Sequence, residues 1–170
     1  LYKKAMDYVF EVAPGSKPVV MDLFSGTGTI TQLLAQRNID KEIVGVELVP
    51  EAVEDAKQNA KLNGFNNLKF FAADVGKFLL EHPDYTNRID TIVMDPPRAG
   101  IAPKTLRKVM RLNAKRIVYI SCNPATQARD MLALKEFGYN LKKYSLVDQF
   151  PHTAHIESVA LFEKGKIVVN

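Results

Sequence analysis

There is one cysteine in this chain of 170 residues. That scarcity excludes an internal disulfide and any four-cysteine zinc or iron–sulfur site made by these residues alone. A free thiol fits a reducing compartment, so a cytoplasmic location is expected. No apolar run is long enough to cross a bilayer, and the first residues lack the build of a secretory signal, so no membrane partner is expected. Internal repeats, low-complexity tracts and a composition break are also missing, which leaves a single domain. What is present is ordinary for a soluble globule: 46% apolar and 25% charged residues. A chain of this length buries roughly 68–70% of its unfolded surface. The net charge of +4 leans toward a polyanionic partner.

β-branched apolar runs alternate with helix-period segments. Strands are expected over Val19 to Phe24, Glu42 to Leu48, Leu68 to Ala72, Arg88 to Met94 and Arg116 to Ile120. Helices are expected over Thr29 to Arg37, Pro50 to Asn63, Asp74 to Leu80, Ala102 to Arg111 and Pro124 to Phe137. Proline opens several of them, and Asn63-Gly64 and Gly138 close two. Strand–helix alternation means βαβ units and a mostly parallel, doubly wound α/β sheet. Tyr139 to Val147 and Ile156 to Glu163 have no helix between them, so an antiparallel pair at one edge is expected. Leu1, Ala5, Tyr8, Val9 and Val12 share one helical face from the first residue, with no initiator methionine, as expected of a domain from a longer protein.

The first strand runs through Asp22-Leu23-Phe24-Ser25-Gly26-Thr27-Gly28-Thr29 straight into a helix. Glycines let a ligand approach the backbone, and a helix N-terminus offers free N–H groups. Glu47, ending the second strand, suits ribose hydroxyls, and Asp74, after the third, suits the flank of an adenine. Thr31 occupies the third glycine position of a dinucleotide fingerprint, and no Walker lysine follows, so neither that site nor a P-loop is expected. Three acids at successive strand ends look instead like S-adenosylmethionine binding. A lone glycine pair would otherwise be read as a tight turn.

The fourth strand ends in Asp95-Pro96-Pro97-Arg98-Ala99-Gly100, a stiff loop with few backbone donors. The fifth ends in Ser121-Cys122-Asn123-Pro124, which presents the thiol at a strand end. Cys122 is either a nucleophile or a small buried hydrophobe. Glu157 lies in the apolar run of the last strand, where a partly desolvated carboxylate suits proton transfer; alternation would also allow it to face solvent. His152 and His155 beside Glu157 invite a metal, but a loop gives them no defined geometry and no metal is expected. Lys104, Arg107, Lys108, Arg111 and Lys115 form a basic stripe, read as a solvated face or as a phosphate contact.

Together, Asp22 to Thr29, Glu47, Asp74, Asp95 to Gly100, Ser121 to Pro124 and Asp148 to Glu157 resemble the catalytic domain of S-adenosylmethionine-dependent RNA uracil-5-methyltransferases, over essentially the whole chain. The resemblance implies a seven-stranded, Rossmann-like class I methyltransferase sheet. It implies S-adenosylmethionine held by Asp22, Phe24, Gly26, Gly28, Thr29, Glu47, Asp74 and Asp95. Cys122 becomes the nucleophile and Glu157 the base, with Asp95 assisting; Arg98, Asn123 and His155 fall on the RNA side. The implied partner is transfer or ribosomal RNA, bound by a monomer. RNA selection is implied to rest on N-terminal domains that these residues do not include. Competing readings are an RNA cytosine-5 methyltransferase, disfavoured by Pro96-Pro97 in place of Pro-Cys, an adenine amino-methyltransferase, disfavoured by Arg98 in place of an aromatic, and a cofactor-binding module without catalysis.

Overall fold

Buried β-branched runs build the centre of the molecule. In the computed structural model, which describes Asp7 and residues 17–37, 40–148 and 156–165, seven strands form one sheet. They are β1 (Val19–Leu23), β2 (Glu42–Glu47), β3 (Leu68–Ala72), β4 (Ile89–Met94), β5 (Arg116–Ser121), β6 (Tyr139–Asp148) and β7 (Ile156–Lys164). The described helices are α1 (Thr29–Arg37), α2 (Pro50–Leu62), α3 (Val75–Glu81), α4 (Pro103–Arg111) and α5 (Pro124–Glu136). A 3-10 turn, Pro83–Tyr85, has no counterpart in the sequence reading. The amphipathic segment at the start of the chain lies outside the described residues.

Strand order is β3-β2-β1-β4-β5-β7-β6. The first five are parallel, and β7 inserts between β5 and β6, antiparallel to both. The mostly parallel sheet with antiparallel pairing at one edge is therefore as expected. β1, β4 and β5 are buried along their whole length, which is why they read as unbroken apolar runs rather than alternating ones. Val19, Met21 and Leu23 pack into one core with Phe78, Leu106 and Leu134. Val20, Val93 and Val118 pack into a second with Ile30 and Leu34. The chain turns in opposite directions after β1 and after β4, so their carboxyl ends bracket a crevice, the usual ligand position in such sheets.

The opposite end of the sheet carries a buried ion cluster. Asp90 is 1% exposed. Its Oδ1 accepts from Arg116 Nη2 at 3.2 Å and from Thr91 Oγ1 at 3.1 Å, and Lys41 Nζ lies 3.5 Å from Oδ2. Lys41 also donates to the Lys17 carbonyl at 2.7 Å. This cluster ties the starts of β1, β2, β4 and β5 together, far from the crevice. Removing the one acid from a buried ion cluster costs about 3–5 kcal/mol. Asp90→Ala is therefore expected to lower the free energy of unfolding in urea by that amount, and a loss under 1 kcal/mol would contradict the cluster's role.

Candidate active site

The crevice is built first by the turn after β1. Phe24 takes a left-handed backbone, φ 63°, and so do Gly26, φ 57°, and Gly28, φ 85°. A left-handed phenylalanine is strained, which is a feature of ligand-binding turns. The two glycines have different reasons. A Cβ on Gly28 would lie 2.9 Å from Ala56 Cβ and 3.1 Å from Phe70 Cε1, whereas one on Gly26 would meet nothing within 4 Å. Gly28 thus serves the packing of α2 and β3 under the turn, and Gly26 faces open space where a ligand can approach. Thr29 is exposed at the start of α1.

Glu47 sits across the turn. Gly26 N–H donates to its Oε1 and Val49 N–H to its Oε2, each at 3.0 Å. Each carboxylate oxygen retains a lone pair for another donor. Asp74 is exposed and caps α3, accepting from Lys77 N–H at 3.0 Å. Asp22 is buried beneath the turn. Its Oδ2 accepts from Thr31 Oγ1 at 2.7 Å, while Oδ1 and the nearby Ser25 Oγ are buried without a hydrogen-bond partner. Burial, with the negative charges of Asp95 and Glu47 adding to it against the Thr31 bond, pushes the Asp22 carboxyl up to about 7. Burial, then the charge of Glu157, pushes Asp95 up to about 6.

On the other side of the crevice, Asp95 N–H reaches the Leu23 carbonyl at 3.5 Å. Ser121 pairs with Ser158 across β5 and β7, so the next positions outward in that ladder are Cys122 and Glu157. Cys122 is exposed and Glu157 half-buried. The thiol is therefore not a core hydrophobe, and the carboxylate is partly open to solvent. Asp95 joins the two halves, since its charge acts on Asp22 and that of Glu157 acts on it.

Asn123 holds the thiol loop. Its Oδ1 caps α5 through Ala125 N–H at 3.1 Å, and its Nδ2 donates to the Arg98 carbonyl at 3.1 Å. Arg129 makes a second tie, donating from Nη2 to the Ile101 carbonyl at 3.2 Å. Arg98 itself is exposed. Sequence reasoning missed Ser25 and Arg129: nothing local marks a helical arginine as the partner of a distant loop. His152 and His155 lie outside the described residues.

A doubly wound sheet with an acid-lined, glycine-turned crevice at its switch point has the Rossmann-like architecture of the methyltransferase class. The tRNA (uracil-5-)-methyltransferase family matches residues 1–165, and the chain belongs to that family. It is 42% identical over 164 residues to an uncharacterized RNA methyltransferase of Clostridium acetobutylicum, covering 96% of this chain and 34% of that protein. It is 46% identical over 151 residues to the 23S rRNA (uracil(1939)-C(5))-methyltransferase RlmD of Vibrio vulnificus, covering 89% and 34%. Among solved structures, the tRNA (uracil-54, C5)-methyltransferase of Pyrococcus abyssi in complex with S-adenosyl-L-homocysteine superposes with a TM-score of 0.73 at 32% identity, over 94% of this chain and 38% of that one. The chain thus spans about a third of the length of the curated relatives it matches.

The raised carboxyls set a pH dependence. Above about pH 4, and up to about pH 7 for Asp22 and about pH 6 for Asp95, the folded protein holds protons that the unfolded chain has released. Their contribution is fully present below about pH 4 and is lost as pH rises to about 7. For Asp22, moving from 3.8 to about 7 is worth about 4 kcal/mol at most. Urea unfolding of the cofactor-free protein is expected to show stability falling from pH 5 to pH 7.5, and Asp22→Asn to flatten that fall. A wild-type profile rising over the same interval would contradict the burial of Asp22.

Proposed function

We propose that this chain is the catalytic domain of an enzyme that methylates carbon 5 of a uridine in transfer or ribosomal RNA, using S-adenosylmethionine. The observation that carries the proposal is the register: Cys122 and Glu157 are one step past the Ser121–Ser158 pair of β5 and β7, and the charge of Glu157 acts on Asp95, which follows β4 at the switch point. Family membership supports the reaction class. The exposed free thiol suits a reducing cytoplasm.

The crevice fits the cofactor. Asp22 Oδ1 and Ser25 Oγ are buried polar atoms in need of a partner, and carboxyls raised by burial, with the charges of neighbouring acids adding to it, favour a cationic ligand. Asp22, Phe24, Gly26, Gly28 and Thr29 would cradle it from the turn. Glu47 would take the ribose hydroxyls, Asp74 would flank the base, and Asp95 would close the far side. S-adenosylmethionine, when bound, supplies an electrophilic methyl group.

Carbon 5 of uracil is a weak nucleophile. The Cys122 thiolate adds to carbon 6, and the electron pair of the 5,6 double bond moves to carbon 5 and the adjacent carbonyl as an enolate. Once carbon 5 carries the methyl group, Glu157 takes its remaining proton. The double bond re-forms and expels the thiolate. Asp95 hydrogen-bonds the uracil edge, and Arg98, Asn123 and His155 serve the RNA side. A duplex hides carbon 6 from the thiol, so the uridine is read unstacked.

Glu157→Gln in the full-length protein is expected to slow turnover by about 10²–10⁴-fold and to accumulate a methylated protein–RNA adduct that survives a denaturing gel. Cys122→Ala is expected to bind cofactor normally while forming neither adduct nor product. Near-normal release of 5-methyluridine by either variant would overturn its assignment.

A further inference from the structure

Helix α4 is basic and carries no acid: Lys104, Arg107, Lys108 and Arg111 stand among its nine residues. Lys108 is committed, donating to the Gly76 carbonyl at 3.3 Å. The other three are exposed, and among the described residues none of them makes an ion pair. Leu106, Val109 and Met110 turn the opposite face into the core. Arg107 and Arg111, one turn apart, wall a groove between α4 and α5 with Leu106 and Met110 beside them, and Arg129 of α5 and Phe137 just past its end line the other side. The Phe137 ring is 39% exposed and Lys164 Nζ sits 4.1 Å from its centroid. Of the two acids here, Asp130 is buried, bonded to Tyr119 Oη at 2.6 Å and paired with Arg129 at 3.2 Å; Glu136 remains on the rim. Cations therefore dominate the groove.

Like charges at one-turn spacing repel unless an anion lies between them. Arginine rims with an apolar floor and a partly exposed aromatic ring suit a polymer with phosphates outside and unstacked bases inside. The groove begins at Pro103, directly after the loop that carries Asp95 and Arg98. We infer that it holds a single-stranded stretch of RNA continuing from the uridine at Cys122. The inference rests on the reading above that RNA is the substrate.

The test uses the full-length protein and a fluorescein-labelled RNA of about 20 nucleotides, single-stranded or annealed to its complement, together with a methylation assay on transfer and ribosomal RNA. Arg107→Gln with Arg111→Gln is expected to weaken single-strand binding about tenfold or more and to lower the slope of log affinity against log salt by about 1.4. KM for RNA rises in proportion, while kcat and cofactor affinity stay as in wild type. Phe137→Leu weakens single-strand binding several-fold, and Lys57→Gln with Lys61→Gln on α2 leaves it unchanged. Duplex RNA binds more weakly than the single strand. Wild-type affinity in the double arginine variant, or a preference for duplex, overturns the inference. If wild type methylates no RNA yet the arginine variant still loses binding, the groove stands and the proposed reaction fails.

Discussion

Four carboxylates converge on one edge of the sheet, and the groups that set the protonation of the two innermost include no cation. Everything else at the crevice depends on this crowding. The parallel strands β2 and β4 deliver Glu47 and Asp95 to one height, β1 sets Asp22 two residues below them, and the antiparallel β7 brings Glu157 to this end from the other direction. Burial raises the Asp22 carboxyl to about 7 and the Asp95 carboxyl to about 6, so both keep protons at pH values where free aspartates release them. Such a cluster is costly in an empty crevice and favourable around a cation. A sulfonium cofactor carrying an ammonium group answers that electrostatic demand, and a neutral nucleoside or a dinucleotide with its phosphates does not.

The chemistry half is held by a different device. Helix α5 starts immediately after Cys122, and its polar residues reach outward: Asn123 to the Arg98 carbonyl and Arg129 to the Ile101 carbonyl. Gly100 makes this approach possible, since a Cβ there would lie 2.9 Å from Arg129 Nη2. Gln127 joins the strands beneath, donating to the Tyr119 carbonyl at 3.2 Å and accepting from Ser158, the neighbour of Glu157. The thiol, the Asp95 loop and the Glu157 strand are thereby referred to one helix, which is how side chains from three elements keep a fixed spacing.

Much of this was legible in the sequence because it is local. Buried parallel strands read as apolar runs, proline and glycine punctuate the helices, and strand boundaries fall within a residue or so of expectation. The acids at strand ends were legible for the same reason. What escaped depends on partners distant in the chain. The insertion of β7 between β5 and β6 is set by pairing, and no local signal ranks one neighbour over another. Lys41, Asp90 and Arg116 look like ordinary charged strand starts until the fold buries them together. Gly28 reads as a cofactor glycine, yet Ala56 and Phe70 give it a packing reason. Phe24 gives no warning of its left-handed backbone, because it is not a glycine.

The central claim is that carbon 5 of uridine is the atom methylated and that its proton is lost in the process. Transfer and ribosomal RNA transcribed with uridine deuterated at carbon 5 tests it most directly. After incubation with full-length protein and S-adenosylmethionine, mass spectrometry of the nucleosides is expected to show one deuterium lost for each methyl gained, in 5-methyluridine alone. A methylated nucleoside that keeps its deuterium would place the methyl on another atom and contradict the account.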